Sequence, residues 1–143
     1  IQIETMEERD EKSDERGSKN KVVYPELSYK IVGLLFEVWD EIGWSHKEKY
    51  IQKAIALAFN NHGIRFKKEV KTDLKYHGDK IGVYFLDFLV EDKIVLEIKK
   101  REFFSQQDIK QIYSYLKATD LKLGIIVHFT SRGIRFKRIL NLN

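Results

Sequence analysis

Apolar positions along the chain change period several times, and each change marks an element. Ile31, Leu34, Leu35, Val38 and Ile42 recur at helical spacing and predict an amphipathic helix over residues 26–42. Pro25 suits its first turn, where a missing N–H costs nothing. Gly43, Trp44 and Ser45 break it. Ile51, Ala54, Ile55, Ala58 and Phe59 predict a second helix over roughly 46–62, with Gly63 as its C-terminal stop. The period then shortens. Residues 64–76 predict a strand, with Ile64, Phe66, Val70, Leu74 and Tyr76 among charged neighbours. After a turn at residues 77–80, the run IGVYFLDFLV over 81–90 is almost wholly apolar and predicts a strand covered on both faces. Glu91, Asp92 and Lys93 connect it tightly to another strand, IVLEIKK, over 94–100, completing an antiparallel meander.

Ser105 is a cap for a third helix, with Asp108 in the capping-box position and a buried stripe of Ile109, Ile112, Tyr113 and Leu116. KLGIIVHF over 122–129 predicts a further buried strand. Strand, helix and strand in that order predict a right-handed crossover to a parallel neighbour. The last segment, GIRFKRIL, reads equally as a short strand or a helix. The expected fold class is α/β, in the order α-α-β-β-β-α-β, with a mixed central sheet flanked by helices.

Composition narrows the class. At 143 residues the chain suits one domain, expected over 22–143, and 43% hydrophobic with 34% charged residues means a real core under a charged surface. Residues 1–21 read as a charged, flexible tail: the first twenty hold seven acids and four bases, a net −3, which leaves +7 on residues 21–143. A basic body favours a polyanionic partner, because phosphate contacts release counterions. The absence of cysteine excludes disulfides and thiolate zinc sites. There is no apolar run of about 18 residues and no apolar leader, so the expected location is cytoplasmic.

Asp87 is the most informative residue, because it interrupts the most hydrophobic strand. Glu97 and Lys99 stand two apart on the next strand, so their side chains leave one face. The short link between the strands brings Asp87 toward Glu97. Two carboxylates facing each other in an apolar sheet repel and desolvate badly, and a divalent cation resolves the conflict. Oxygen donors select Mg²⁺ or Mn²⁺ over zinc. Such a centre suits phosphodiester hydrolysis, with Lys99 offsetting charge on the transition state. A plain Glu97–Lys99 ion pair beside a protonated Asp87 is the structural alternative.

Glu48 lies in the first turn of the second helix and extends its buried stripe through Ile51 and Ile55; the alternative is an acid favourable to the helix dipole. Gln111 and Tyr115 share one face of the third helix. They suit contact with Lys99, a nucleotide or phosphate, or else pack the helix on the sheet. His46, His62, His77 and His128 lack ligand spacing and read as structural or surface positions. Trp44, Arg132, Arg135, Lys137 and Arg138 are candidate nucleic-acid contacts, or a solvated basic face.

The segments LSYKIVGLLFEVWDEIG, EKYIQKAIA, FLDFLVEDKIVLEIK and QIYSYLKATDLKLGIIVHF, between Leu27 and about Asn141, resemble the GxxExxY proteins, a branch of the PD-(D/E)XK nuclease superfamily. The resemblance implies a restriction-endonuclease-like fold with an αβββαβ core. It implies Glu48 as the helical acid, Asp87 as the metal-binding aspartate, Glu97 with Lys99 as the E-x-K pair, and Gln111 with Tyr115 as the Q-x-x-x-Y feature of RecB-type nucleases. Mg²⁺ or Mn²⁺ would then be held by Asp87, Glu97 and Glu48. The chain departs from the pattern at three places: Ser45 replaces the namesake glycine, Ile51 the namesake tyrosine (with Tyr50 next to it), and Phe85 an arginine two before the aspartate. The leading expectation is a metal-dependent nuclease acting on DNA in preference to RNA. The alternatives are a nucleic-acid-binding protein of the same fold that does not cleave, and a homodimeric accessory protein.

Overall fold

The computed structural model describes residues 1–6 and 23–142. Its elements are β1 (Gln2–Met6), α1 (Pro25–Ile42), α2 (Glu48–Asn61), β2 (Phe66–Tyr76), β3 (Asp79–Val90), β4 (Ile94–Lys99), α3 (Gln106–Thr119), β5 (Leu123–Thr130) and β6 (Gly133–Leu140). The strands form a mixed sheet in the order β1-β6-β5-β4-β3-β2. Among the described residues only β4 and β5 pair in parallel, and α3 is the crossover between them. The order expected from periodicity is present, with a strand added at each end.

Two of those strands carry corrections. The start of the expected flexible tail, Gln2–Met6, is an edge strand that pairs antiparallel with β6, Ile3 opposite Ile139. Its charged context hid a short strand; the rest of the expected tail lies outside the described residues. The undecided C-terminal segment is strand β6, paired with both β1 and β5.

Strand alternation sorts the core into two layers. Ile31 and Leu35 of α1 and Ile51, Ile55 and Phe59 of α2 pack against Phe88, Leu96, Ile125 and Phe129 on one face. Ile109, Ile112 and Leu116 of α3 pack against Val95, Ile126 and Ile139 on the other. The α3 layer is tight at one point: a Cβ on Gly124 of β5 would lie 2.4 Å from Ile112 Cγ2, so only glycine lets the helix approach. Ser105 caps α3 by accepting from the Gln107 and Asp108 N–H groups. Asp108 does not follow the capping-box reading: its carboxylate lies 3.2 Å from Arg101 Nη1.

The expected double coverage of residues 81–90 holds only for the inner half. The β2–β3 hairpin outruns the sheet, since β4 pairs only with Phe88, Leu89 and Val90. Ile81, Val83 and Phe85 are therefore exposed, whereas Leu86 and Phe88 to Val90 are buried.

Candidate active site

The regular ladder between β3 and β4 stops at the pair Phe88–Leu96. Beyond it the strands part, and side chains take over the backbone hydrogen bonds. The Asp87 N–H donates to Glu97 Oε1 at 3.1 Å. The Ile98 N–H donates to Asp87 Oδ2 at 2.7 Å. Strand β3 also turns over here. Leu86 and Phe88 are two residues apart, yet Phe88 packs with α1 and α2 while Leu86 packs with α3. On the neighbouring strand Glu69, between the partners of these two residues, has φ 55°, a left-handed conformation that costs a non-glycine residue about 1–2 kcal/mol. A distortion of this kind, at the level of a half-buried carboxylate, is what functional sites tend to store.

Helix α2 supplies the third side of the site. Its first residue, Glu48, accepts from the Lys100 N–H at 3.1 Å. One turn on, Gln52 Nε2 donates to Asp87 Oδ1 at 2.9 Å. Both Asp87 oxygens are thus held by donors from different elements, which fixes the carboxylate against the sheet. Lys99 Nζ stands 3.9 Å from Glu97 Oε2, with most of its side chain covered. Alternation sends Glu97 and Lys99 to the face opposite Leu96 and Ile98, away from the α1–α2 core.

Burial dominates the electrostatics. Glu97 is 6% exposed. Loss of water, together with the adjacent Asp87 carboxyl, pushes the Glu97 carboxyl up to about 9. Asp87 is raised too, chiefly by burial, with its hydrogen bonds to Glu97 and Ile98 opposing. Burial raises both carboxyls, and the Lys99 ammonium, 3.9 Å from Glu97 Oε2, opposes the rise in each. The donor set therefore fits a hard divalent ion. Mg²⁺ is commonly held by one or two carboxylates, with waters and substrate phosphates completing its octahedron.

The geometry brings Asp87, Glu97 and Lys99 together. Glu48 is beside them but turned to the Lys100 backbone, and among the described residues no cluster of three or more acidic or histidine side chains has the spacing of a metal shell. Tyr115 is not brought to the carboxylates. It packs in the α3 core with Ile112 and Leu116, and its nearest influential charges are Lys67 and Asp92. Its position three after Ile112 puts it on the buried stripe, where Tyr113 was expected. Gln111 lines a cleft of about 470 Å³ between α3 and the β2–β3 hairpin, with Thr72, Tyr84 and Gln107. Arg138 is buried and donates to the Val23 carbonyl at 2.7 Å, so it ties down the entry to α1 instead of facing a substrate. His128 is a buried structural residue, as expected, and His46 is exposed. Gln52 was missed; the available signal was its i+4 spacing from Glu48.

A family model for the PD-(D/E)XK nuclease superfamily matches residues 25–139. The chain belongs to the PD-(D/E)XK nuclease superfamily. Nucleases of this superfamily generally use divalent metals. No curated protein matches the chain. Among solved structures, one titled "Crystal structure of SSO0001" matches at 19% identity and a TM-score of 0.46, over 90% of this chain. The chain spans 61% of the length of that relative. No helix among the described residues is long and apolar enough to cross a membrane.

Proposed function

We propose that the protein is a metal-dependent nuclease of the GxxExxY branch that hydrolyses phosphodiester bonds in DNA, with Asp87 and Glu97 holding Mg²⁺ or Mn²⁺ and Lys99 at the reacting phosphate. The observation that carries this reading is the pairing of half-buried Asp87 with buried Glu97 at the point where β3 and β4 part. A bound divalent ion supplies Lewis acidity and lowers the pKa of water at the site. The chain's own residues do the rest. Asp87 and Glu97 provide the negative oxygens that keep the ion, and the raised Glu97 carboxyl must be deprotonated to do so. Gln52 and the Ile98 N–H orient Asp87. Lys99 offsets the negative charge that grows on the phosphoryl oxygens. Glu48 braces the end of β4 through Lys100 and adds negative charge close to Asp87, where it favours a cation.

The test is hydrolysis of labelled DNA and RNA, single- and double-stranded, with Mg²⁺, with Mn²⁺ and with chelator. Cleavage that chelator stops and that Asp87→Ala or Glu97→Ala abolishes is the expected outcome. Cleavage that survives both substitutions would refute the assignment. A second reading, binding without cleavage, is favoured by one observation: Ile51, at the position of the family's namesake tyrosine, is fully buried in the α2 core. It predicts salt-sensitive binding with no cutting under either metal.

A further inference from the structure

The loop joining Lys99 to α3 is held along nearly its whole length. The Lys100 N–H donates to Glu48 Oε1 at 3.1 Å. The Arg101 carbonyl accepts from His128 Nδ1 at 2.7 Å, which fixes that ring as the Nδ1–H form. The Glu102 carbonyl accepts from Arg135 Nη1 at 3.1 Å. The Phe104 ring lies 4.0 Å from the His128 ring, centroid to centroid, with Lys137 Nζ 4.6 Å over it. Ser105 is tied into the cap of α3. The one residue these contacts leave out is Phe103, which is 84% exposed.

An isolated apolar side chain on a surface needs no explanation when its backbone is free. Here every neighbour is anchored, so the loop holds a large aromatic ring in water without burying it. The placement is also specific. Lys99, His128 and Arg135 are cross-strand neighbours in register, so the loop that folds over His128 lies beside the lysine of the site. Before Phe103 come Lys99, Lys100, Arg101 and Glu102; Arg101 pairs with Asp108 and Lys99 with Glu97, which leaves Lys100 as the cation of this run suited to a phosphate backbone. An exposed aromatic ring on an anchored loop, close to such a cation, has the chemistry to stack on a nucleobase.

We propose that Phe103 is a stacking platform for an unpaired base next to the scissile phosphate, which makes the preferred substrate one with a single-stranded or splayed segment at the cut. The proposal rests on the nuclease reading and names the substrate class of the same site. Stacking needs a base face that is not already occupied by its duplex neighbour, so a perfect duplex gains little from the ring. The contribution of one stacked base is about tenfold in affinity.

The test compares dye-labelled single strands, duplexes with a single-stranded arm, and blunt duplexes, bound to wild type, Phe103→Ala and Phe103→Trp with calcium in place of magnesium. Phe103→Ala is expected to weaken the single strand and the armed duplex about tenfold while leaving the blunt duplex within about twofold. Phe103→Trp should keep wild-type affinity, and the emission it adds over that of wild type should be quenched on binding. Equal losses on all three substrates, or no quenching, would overturn the proposal. So would light scattering that shows Phe103→Ala splitting a dimer with nucleic-acid binding unchanged, since the ring would then be a protein contact. If Phe103→Ala cleaves and binds every substrate as wild type does, this proposal alone fails. If wild type binds no oligonucleotide and cleaves none, the nuclease reading fails with it.

Discussion

At the turn end of the β3–β4 pair, Val90 faces Ile94 in a regular ladder, both fully buried in an apolar layer. Three residues away, at the other end, Asp87 faces Glu97, the ladder has opened, and carboxylates accept the N–H groups that a partner strand would normally take. The two ends share strands, a sheet and burial, and differ in what they bury. The first stabilises by removing apolar area from water, about 25 cal/mol per Å². The second places two acids where only one proton or one cation can reconcile them. Stability and chemistry are thus separated by half the length of one short strand.

The largest effect that sharpens this contrast is on activity. Asp87→Asn or Glu97→Gln should lower metal-dependent cleavage by about 10²–10³-fold or more, the scale of losing one charge-stabilising group. Glu97→Gln should leave the metal-free fold about as stable as wild type in urea at neutral pH, because its amide oxygen still accepts from the Asp87 N–H and no carboxyl remains to be desolvated. A clear loss of stability from Glu97→Gln would break the contrast. At the other end, Leu96→Ala should cost about 2–5 kcal/mol in the same urea assay, with cleavage per folded molecule little changed.

A smaller effect is expected behind the sheet. Gly124→Ala forces a methyl into Ile112 and should cost about 1–3 kcal/mol, with no effect on metal affinity. The pH dependence of the metal-free protein is a separate readout. The folded Glu97 carboxyl titrates near 9, far above the ordinary carboxylate range. A group raised in this way contributes stability that is complete below its unfolded value and is lost as pH rises toward its folded one. Urea midpoints should therefore fall between about pH 4.5 and pH 9, and Glu97→Gln should flatten that fall. An unchanged profile in Glu97→Gln would place the titration elsewhere.

Periodicity made the framework readable because α1, α2 and α3 each bury one stripe and β4 and β5 are sealed on both faces. The Asp87, Glu97 and Lys99 set was readable for a related reason. An acid in an otherwise apolar strand is costly enough to need a purpose. What sequence could not show depends on three-dimensional register. The opening of the ladder at Asp87 and the reach of Gln52 across from α2 have no local signature. Tyr115 looked like a partner of Gln111 on helical spacing, yet four residues of separation also suits a core stripe, and packing decided it. Arg138 read as a surface cation because its carbonyl partner, Val23, is 115 residues away. The edge strand Gln2–Met6 escaped because its single isoleucine, in a short segment leading into a run of charges, gives no alternation to read.

The central claim is that Asp87 and Glu97 hold a divalent cation. Its most direct test is calorimetric titration of Mn²⁺ and Mg²⁺ into wild type and Asp87→Asn, each with a non-cleavable oligonucleotide present so that substrate phosphates complete the shell. The account predicts binding by wild type that releases protons and tightens as pH rises toward 9, because the ion displaces the proton held on Glu97. It predicts that Asp87→Asn does not bind. Equal binding by Asp87→Asn, with the same proton release, would contradict it.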